Sequence, residues 1–507
     1  MPRPDRSVAG AWVSACTVAL LAATPGGAGE GAFDPGPWIE DLHQIRAALT
    51  QKYANFEWAV FERRIPLGEL FDATESRLRA ASSDAAARQI IELSLQAIGD
   101  GHLGVKWPGF SSVPARDPQS PPALCRGLGY DATMRGQALA ARIPGYRPLA
   151  DGTAAEFPAA QLRSGEQKVG VLRIGMFAPQ GYPELCAEAR EGLGIDQDTA
   201  CEGACADRLE SAVYEWMARD LALRIRQLER LGSTVLLVDI TGNGGGSEWA
   251  GAAARMLSPM SLRSERRAAV RGEHWAAYWL ALARDLRVAE HAATPEDAQQ
   301  LEQWARQVDQ AREDAQTPCS SAPFWSGQRP GCPWLAPAFF ATGILAEADA
   351  ASLHGKPWGA LVFSPAQYDF EASVWHGPLV VLVDAETASA AEEFAAELQD
   401  NKAAVVVGTR TFGAGCGYTR GGTPTQLTHS GGILRMPDCA RVRADGSNEV
   451  RGIDPEVPLV LPTPAEVHAT GWKVEAALAR AVEASVRLCE QQHCRGDDRP
   501  REPGGSR

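Results

Sequence analysis

Ser389 stands where an apolar run gives way to a helical stripe. Leu379 to Val383 is continuous and β-branched, the pattern of a strand buried on both faces. Asp384 to Ala388 breaks that run, and apolar residues then recur at Ala391, Phe394, Ala395 and Leu398 with helical spacing. A hydroxyl at a helix start meets unpaired N–H groups and the positive end of the helix dipole. Serine is a common N-cap in such a place. A hydroxyl there can also attack a carbonyl while the N–H of Ala390 steadies the oxyanion. A second segment favours that chemistry. Thr234 to Asp239 reads as another buried strand, followed at once by Gly242-Asn243-Gly244-Gly245-Gly246. Glycines after a strand let the backbone turn sharply and aim N–H groups outward. A phosphate-binding P-loop would need a Lys here, and Ser247-Glu248-Trp249 supplies none. Paired with the strand–serine–helix unit, the loop reads as the other half of an oxyanion hole, through the N–H of Gly245.

Asp239–Gly246 (DITGNGGG) is similar to the Asp-hydrophobic-Arg-x-Asn-x-Gly-Gly loop of the tail-specific, or C-terminal processing, serine proteases of peptidase family S41. Thr387–Gly415 resembles that family's nucleophile helix, the strand after it and a Thr-Phe-Gly-x-Gly turn. The resemblance covers roughly residues 38–107 and 170–460, with interruptions. It implies an α/β (α+β) fold: a crotonase/Clp-protease-like core of stacked β-α units, with an N-terminal helical domain and a helical insertion.

One departure bears on mechanism. The Ser–Lys branch of the family keeps its lysine between the two glycines of the turn, and this chain has Ala414 there. Lys402, in the turn after the helix, reads as a solvated charge. The other branch, to which tricorn core proteases and retinoid-binding repeat proteins are similar, has a histidine after an N-terminal helix, and Asp100-Gly101-His102-Leu103 matches. It also has a glutamate before a Gly-hydrophobic-x-Pro turn, which Glu449 to Pro455 resembles. The resemblance thus implies Ser389 as nucleophile, His102 as base and Glu449 as the group orienting the base. His429 is the rival base, and Glu392 the rival acid. A serine precedes the histidine in that branch, whereas Gly101 stands here.

The 507 residues suffice for more than one domain, and a net charge of −14 without a Lys/Arg cluster argues against a nucleic-acid partner. Val8–Ala23 follows Arg3 and Arg6 and precedes small residues, as in a cleaved secretory signal over residues 1–28. That leaves no stable membrane span in the mature chain and points to a periplasmic or secreted protein. Removing Cys16 takes eleven cysteines to ten, an even number for an oxidising compartment. Proximity pairs Cys319 with Cys332, Cys416 with Cys439, and Cys489 with Cys494. Cys125, Cys186, Cys201 and Cys205 keep three connectivities open. No standard zinc spacing appears, so neither metal nor cofactor is expected.

These pieces need scaffolding. Trp38, Leu42, Ile45 and Leu49 form a helical stripe, and residues 33–110 read as a helical domain whose end delivers His102. Residues 111–168 are rich in Pro, Gly and Ala and lack the pattern of a PDZ module. The core would run over 169–259 and 351–488. An insertion over 260–350 carries two helical stripes, Trp275 to Leu286 and Leu301 to Val308. It reads as helix packing, with a place in a lid or pocket wall open to it. A tail occupies 489–507. The expected function is a serine endopeptidase acting on polypeptides. The alternatives are a silent binding protein for an apolar ligand on the same scaffold, and crotonase-like acyl-CoA chemistry.

Overall fold

The computed structural model describes residues 33–108, 123–150, 152, 154–196, 200–418, 425–463 and 467–494. The expected signal segment and most of the C-terminal tail lie outside them.

Three helices open the described chain: α1 (Gly36–Lys52), α2 (Leu67–Arg79) and α3 (Asp84–Ile98). The Ser83 side chain accepts from the Ala86 N–H to start α3, and Gly99 ends it at φ 82°. Strand β1 (Gly104–Lys106) follows directly, so His102 sits in a five-residue connection.

Strands β2 (Arg147–Pro148), β3 (Ala159–Ser164), β4 (Gln167–Arg173) and β5 (Val235–Asp239) begin the main sheet. The segment read from its Pro/Gly/Ala content as a connector therefore supplies sheet strands. The long helix α4 (Ala204–Arg230) and the short α5 (Trp249–Leu257) lie around β5 in sequence. The insertion holds β6 (Arg266–Val270), α6 (Glu273–Glu290), α7 (Pro295–Gln316) and β7 (Leu335–Phe340). It is thus not helical throughout. Its two strands pair with each other, and β6 also pairs with β12 below.

Strand β8 (Leu379–Val383), helix α8 (Ala390–Asp400) and β9 (Val405–Gly408) form the unit read from Ser389. Then come β10 (Thr425–Gln426), β11 (Ile433–Arg435), β12 (Cys439–Val442), β13 (Val457–Pro458) and the last helix α9 (Val467–Gln492). The main sheet has seven strands in the order β13-β9-β8-β5-β4-β3-β2. It is parallel from β13 to β4 and antiparallel at β3 and β2. All five residues of β5 and of β8 are buried, as parallel strands covered on both faces must be.

The N-terminal helices and the insertion share one apolar core. Phe56 stacks on Phe324 at 5.1 Å between centroids, and the Trp334 indole N–H donates to the Tyr53 carbonyl at 2.8 Å. The insertion therefore buttresses the domain that carries His102. Five disulfides join Cys125–Cys186, Cys201–Cys205, Cys319–Cys332, Cys416–Cys439 and Cys489–Cys494.

Candidate active site

At Ser389 the backbone leaves β8 and enters α8 at φ 58°, ψ −118°, a conformation non-glycine residues rarely adopt. Several contacts hold it there. The Ser389 N–H donates to Glu392 Oε2 at 2.9 Å, and the Ala388 N–H to the Asn243 carbonyl at 2.9 Å. Arg441 Nη2 donates to the Ser389 carbonyl at 3.2 Å. The glycine loop presses in from the other side. A Cβ on Gly245, at φ 105°, would lie 2.8 Å from Ser389 Cβ, the Ala388 carbonyl oxygen and Ala390 N. Only glycine permits that approach.

His102 meets the hydroxyl: its Nε2 lies 3.0 Å from Ser389 Oγ. Its Nδ1 faces two backbone carbonyls, Ala414 O at 2.9 Å and Cys416 O at 3.2 Å. A carbonyl only accepts, so Nδ1 carries the proton and Nε2 presents its lone pair to the serine. That is the tautomer a general base requires. The loop is anchored by buried Asp100, whose carboxylate accepts from the His102 N–H at 3.0 Å, Asn55 Nδ2 at 2.8 Å and the Tyr53 hydroxyl at 3.0 Å. Burial pushes the Asp100 carboxyl above its usual range, against those hydrogen bonds.

Glu449 does not have the place expected of it. Its buried carboxylate takes Arg441 Nε at 2.5 Å and Nη2 at 2.6 Å, while the imidazole Nδ1 is turned to carbonyls instead. An arginine fork satisfies both carboxylate oxygens, which a single imidazole N–H cannot do. The clue lay eight residues upstream: Val442 bridges to Asn448, which folds Arg441 back beside Glu449. The rival acid, Glu392, does not touch the imidazole either. Its Oε1 accepts from the Gly413 N–H at 2.7 Å and Thr411 Oγ1 at 2.5 Å, and its Oε2 from the Ala414 N–H at 2.8 Å. One carboxylate thus ties the Ser389 backbone to the turn whose Ala414 carbonyl faces His102 Nδ1.

The other candidates fall elsewhere. Lys402 is exposed in the turn after α8. His429 packs edge-on against Trp38 at 5.2 Å, and its N–H donates to Asp41. At Gly101 a Cβ would come within 2.3 Å of the Phe412 ring, so a serine there would displace that ring. The Gly245 N–H, expected to meet the oxyanion, donates to Asn243 Oδ1 at 2.9 Å. Among the described residues the N–H groups of Gly246 and Ala390 have no acceptor, and both residues line a cleft of about 620 Å³ beside Ser389 and His102. From the insertion, Arg267 and Ala341 also line this cleft.

Beside Ser389 lies a largely buried charge cluster. Arg441 also donates to Glu393 Oε2 at 2.5 Å and to the Gly415 carbonyl at 3.0 Å. Burial pushes the Glu393 carboxyl up to about 7, with Arg441 opposing and Glu449, Glu397 and Glu248 adding to the rise. Glu265, buried with neither oxygen hydrogen-bonded, is held well above the carboxylate range by burial and by Glu449.

The profile of the family described as Peptidase family S41 matches residues 211–459, which span the glycine loop, Ser389 and Glu449. The chain belongs to peptidase family S41. It is a serine-type peptidase. His102 lies outside the matched residues, so its place rests on the geometry. No match to a curated protein is found. Among solved structures, this S41 peptidase is similar to mature CPAF complexed with lactacystin, at 16% identity and a TM-score of 0.56, over 90% of this chain and 99% of that one. It is also similar to mature CPAF alone, at 15% identity and a TM-score of 0.53, over 90% and 98%. At such identities the likeness bears on the fold of the peptidase alone.

Proposed function

We propose that this chain is a secreted or periplasmic endopeptidase that cleaves peptide bonds through an acyl-enzyme on Ser389. The observation that carries the reading is the His102 Nε2–Ser389 Oγ contact of 3.0 Å, with Nδ1 turned onto two carbonyls. His102 removes the hydroxyl proton as Ser389 Oγ attacks the peptide carbonyl, then returns it to the leaving amine. The unpartnered N–H groups of Ala390 and Gly246 receive the oxyanion. The clamp carbonyls of Ala414 and Cys416 do the orienting that a carboxylate does in a Ser-His-Asp triad. Water then enters by the same base to release the acyl group.

Five disulfides support an oxidising compartment. No described helix is long and apolar enough to cross a membrane. Charged residues on the cleft wall argue against a silent carrier of apolar ligands. Labelling by a fluorophosphonate probe, together with hydrolysis of unfolded protein substrates, tests the reading. Ser389→Ala and His102→Ala should both lose them while keeping the wild-type circular dichroism spectrum. Hydrolysis surviving in purified Ser389→Ala protein would refute the reading.

A further inference from the structure

The cleft is unusual in its charge. The chain carries a formal −14, yet Lys106, Arg267 and Arg435 all line the cleft beside Ser389, and none has a carboxylate partner among the described residues. Arg441 does not add to this surplus, because Glu449 and Glu393 balance it. Glu248 is the remaining acid on the wall.

Two of these cations are placed by strand register. Strand β1 pairs antiparallel with β11, with Gly104 opposite Arg435 and Lys106 opposite Ile433. Side chains alternate faces along a strand, so Lys106 and Arg435 share a face, diagonal to each other. Like charges so placed repel unless an anion lies between them. Of the two positions that flank this diagonal, Gly104 and Ile433, Gly104 has no side chain, and a Cβ built there meets nothing within 4 Å. A gap with a cation on either side therefore opens two residues after His102. Strand β1 is also at the edge of its sheet, in the order β1-β11-β10, with no described strand on its outer side. An extended peptide can add there and be carried toward Ser389.

We propose that this cleft selects substrates presenting a carboxylate over Gly104, gripped between Lys106 and Arg435, on a peptide strand added to the free edge of β1. The proposal rests on the peptidase reading and names its substrate class. The carboxylate is that of an Asp or Glu side chain or of a free C-terminus, since the two cations present the same chemistry to either.

The test uses the full-length chain and matched fluorogenic peptides in which Glu, Gln or Lys is walked through each position, each made with a free and an amidated C-terminus. At one position kcat/KM for Glu should exceed that for Gln by roughly five-fold, a size fitting a partly exposed ion pair, and the ratio should shrink as salt is raised. Arg435→Gln and Lys106→Gln should each bring the ratio toward one. Gly104→Glu, which fills the gap with the chain's own carboxylate, should do the same. The double variant Lys106→Glu with Arg435→Glu should turn the preference to Lys. A free-acid effect without an internal Glu effect would assign the grip to the C-terminus. Binding of the same peptides to Ser389→Ala, read by fluorescence anisotropy, separates the two claims. A Glu preference in binding without wild-type hydrolysis would keep the selection and sink the peptidase reading. Equal handling of Glu, Gln and both termini, or a preference untouched by the Lys106 and Arg435 variants, would overturn the proposal.

Discussion

Glu393 should make the protein less stable as the solution moves from acid to neutral, and Glu393→Gln should remove that loss. The carboxyl lies beside Ser389, where burial lifts it from an ordinary 4.5 to about 7 despite its pairing with Arg441. The folded state therefore holds this proton to a higher pH than the unfolded chain does. Stability from this group is full below the unfolded value and is lost as pH climbs through the window from about 4.5 to about 7. At 1.36 kcal/mol per unit, the loss is about 3 kcal/mol. Glutamine copies the protonated form, and its carbonyl still accepts from Arg441 Nη1. Urea unfolding of both proteins, with disulfides intact, should be run at about pH 4 and about pH 8. Relative to wild type, the variant should gain about 3 kcal/mol between the two conditions. Parallel behaviour, with the difference changing by less than about 1 kcal/mol, would refute the argument.

Gly245→Ala should cost about 1–3 kcal/mol in urea unfolding and slow fluorophosphonate labelling sharply, because its Cβ would collide with the Ser389 turn. Arg441→Met should cost about 3–5 kcal/mol by the same measurement, since it leaves buried Glu449 and partly buried Glu393 without their cation. Replacing Cys416 and Cys439 together by Ala should cost about 3 kcal/mol for the 23-residue separation. In that variant turnover should fall faster than the folded fraction measured alongside it, because the Cys416 carbonyl is one of the two that orient His102.

Local pattern carried the strand–helix junction at Ser389 and the glycine loop, because each is read within a dozen residues. Continuous apolar runs at β5 and β8 and the helical stripe of α8 placed Ser389 between strand and helix. His102 was reachable only through resemblance, since nothing near Asp100 announces that β1 pairs with β11 and brings the imidazole home. Glu449 was misjudged because its partner is set by a hairpin. The carboxylate had an arginine and a histidine to choose between, and only the fold put Arg441 beside it. Among three consecutive glycines, the assignment to Gly245 failed on a side chain, for Asn243 Oδ1 occupies that N–H. Strands β6 and β7 escaped notice because the aromatic stripes of α6 and α7 dominate the segment, while β2 and β3 lie in sequence whose Pro and Gly content reads as loop.

The proposed base and nucleophile stand 287 residues apart, and the carbonyls that face His102 Nδ1 come later still. A chain emerging from the ribosome holds its base long before it has a serine to activate, and no fragment ending before Cys416 can complete the constellation. Catalysis then reports the docking of two distant parts of the polypeptide rather than the integrity of either. On warming, or in mild denaturant, any slip of β1 along β11 would carry His102 away from Ser389 while the seven-stranded sheet still stood. Inactivation should then run ahead of global unfolding, and a brief thermal excursion that leaves the sheet formed should be repaired by re-pairing a single short strand.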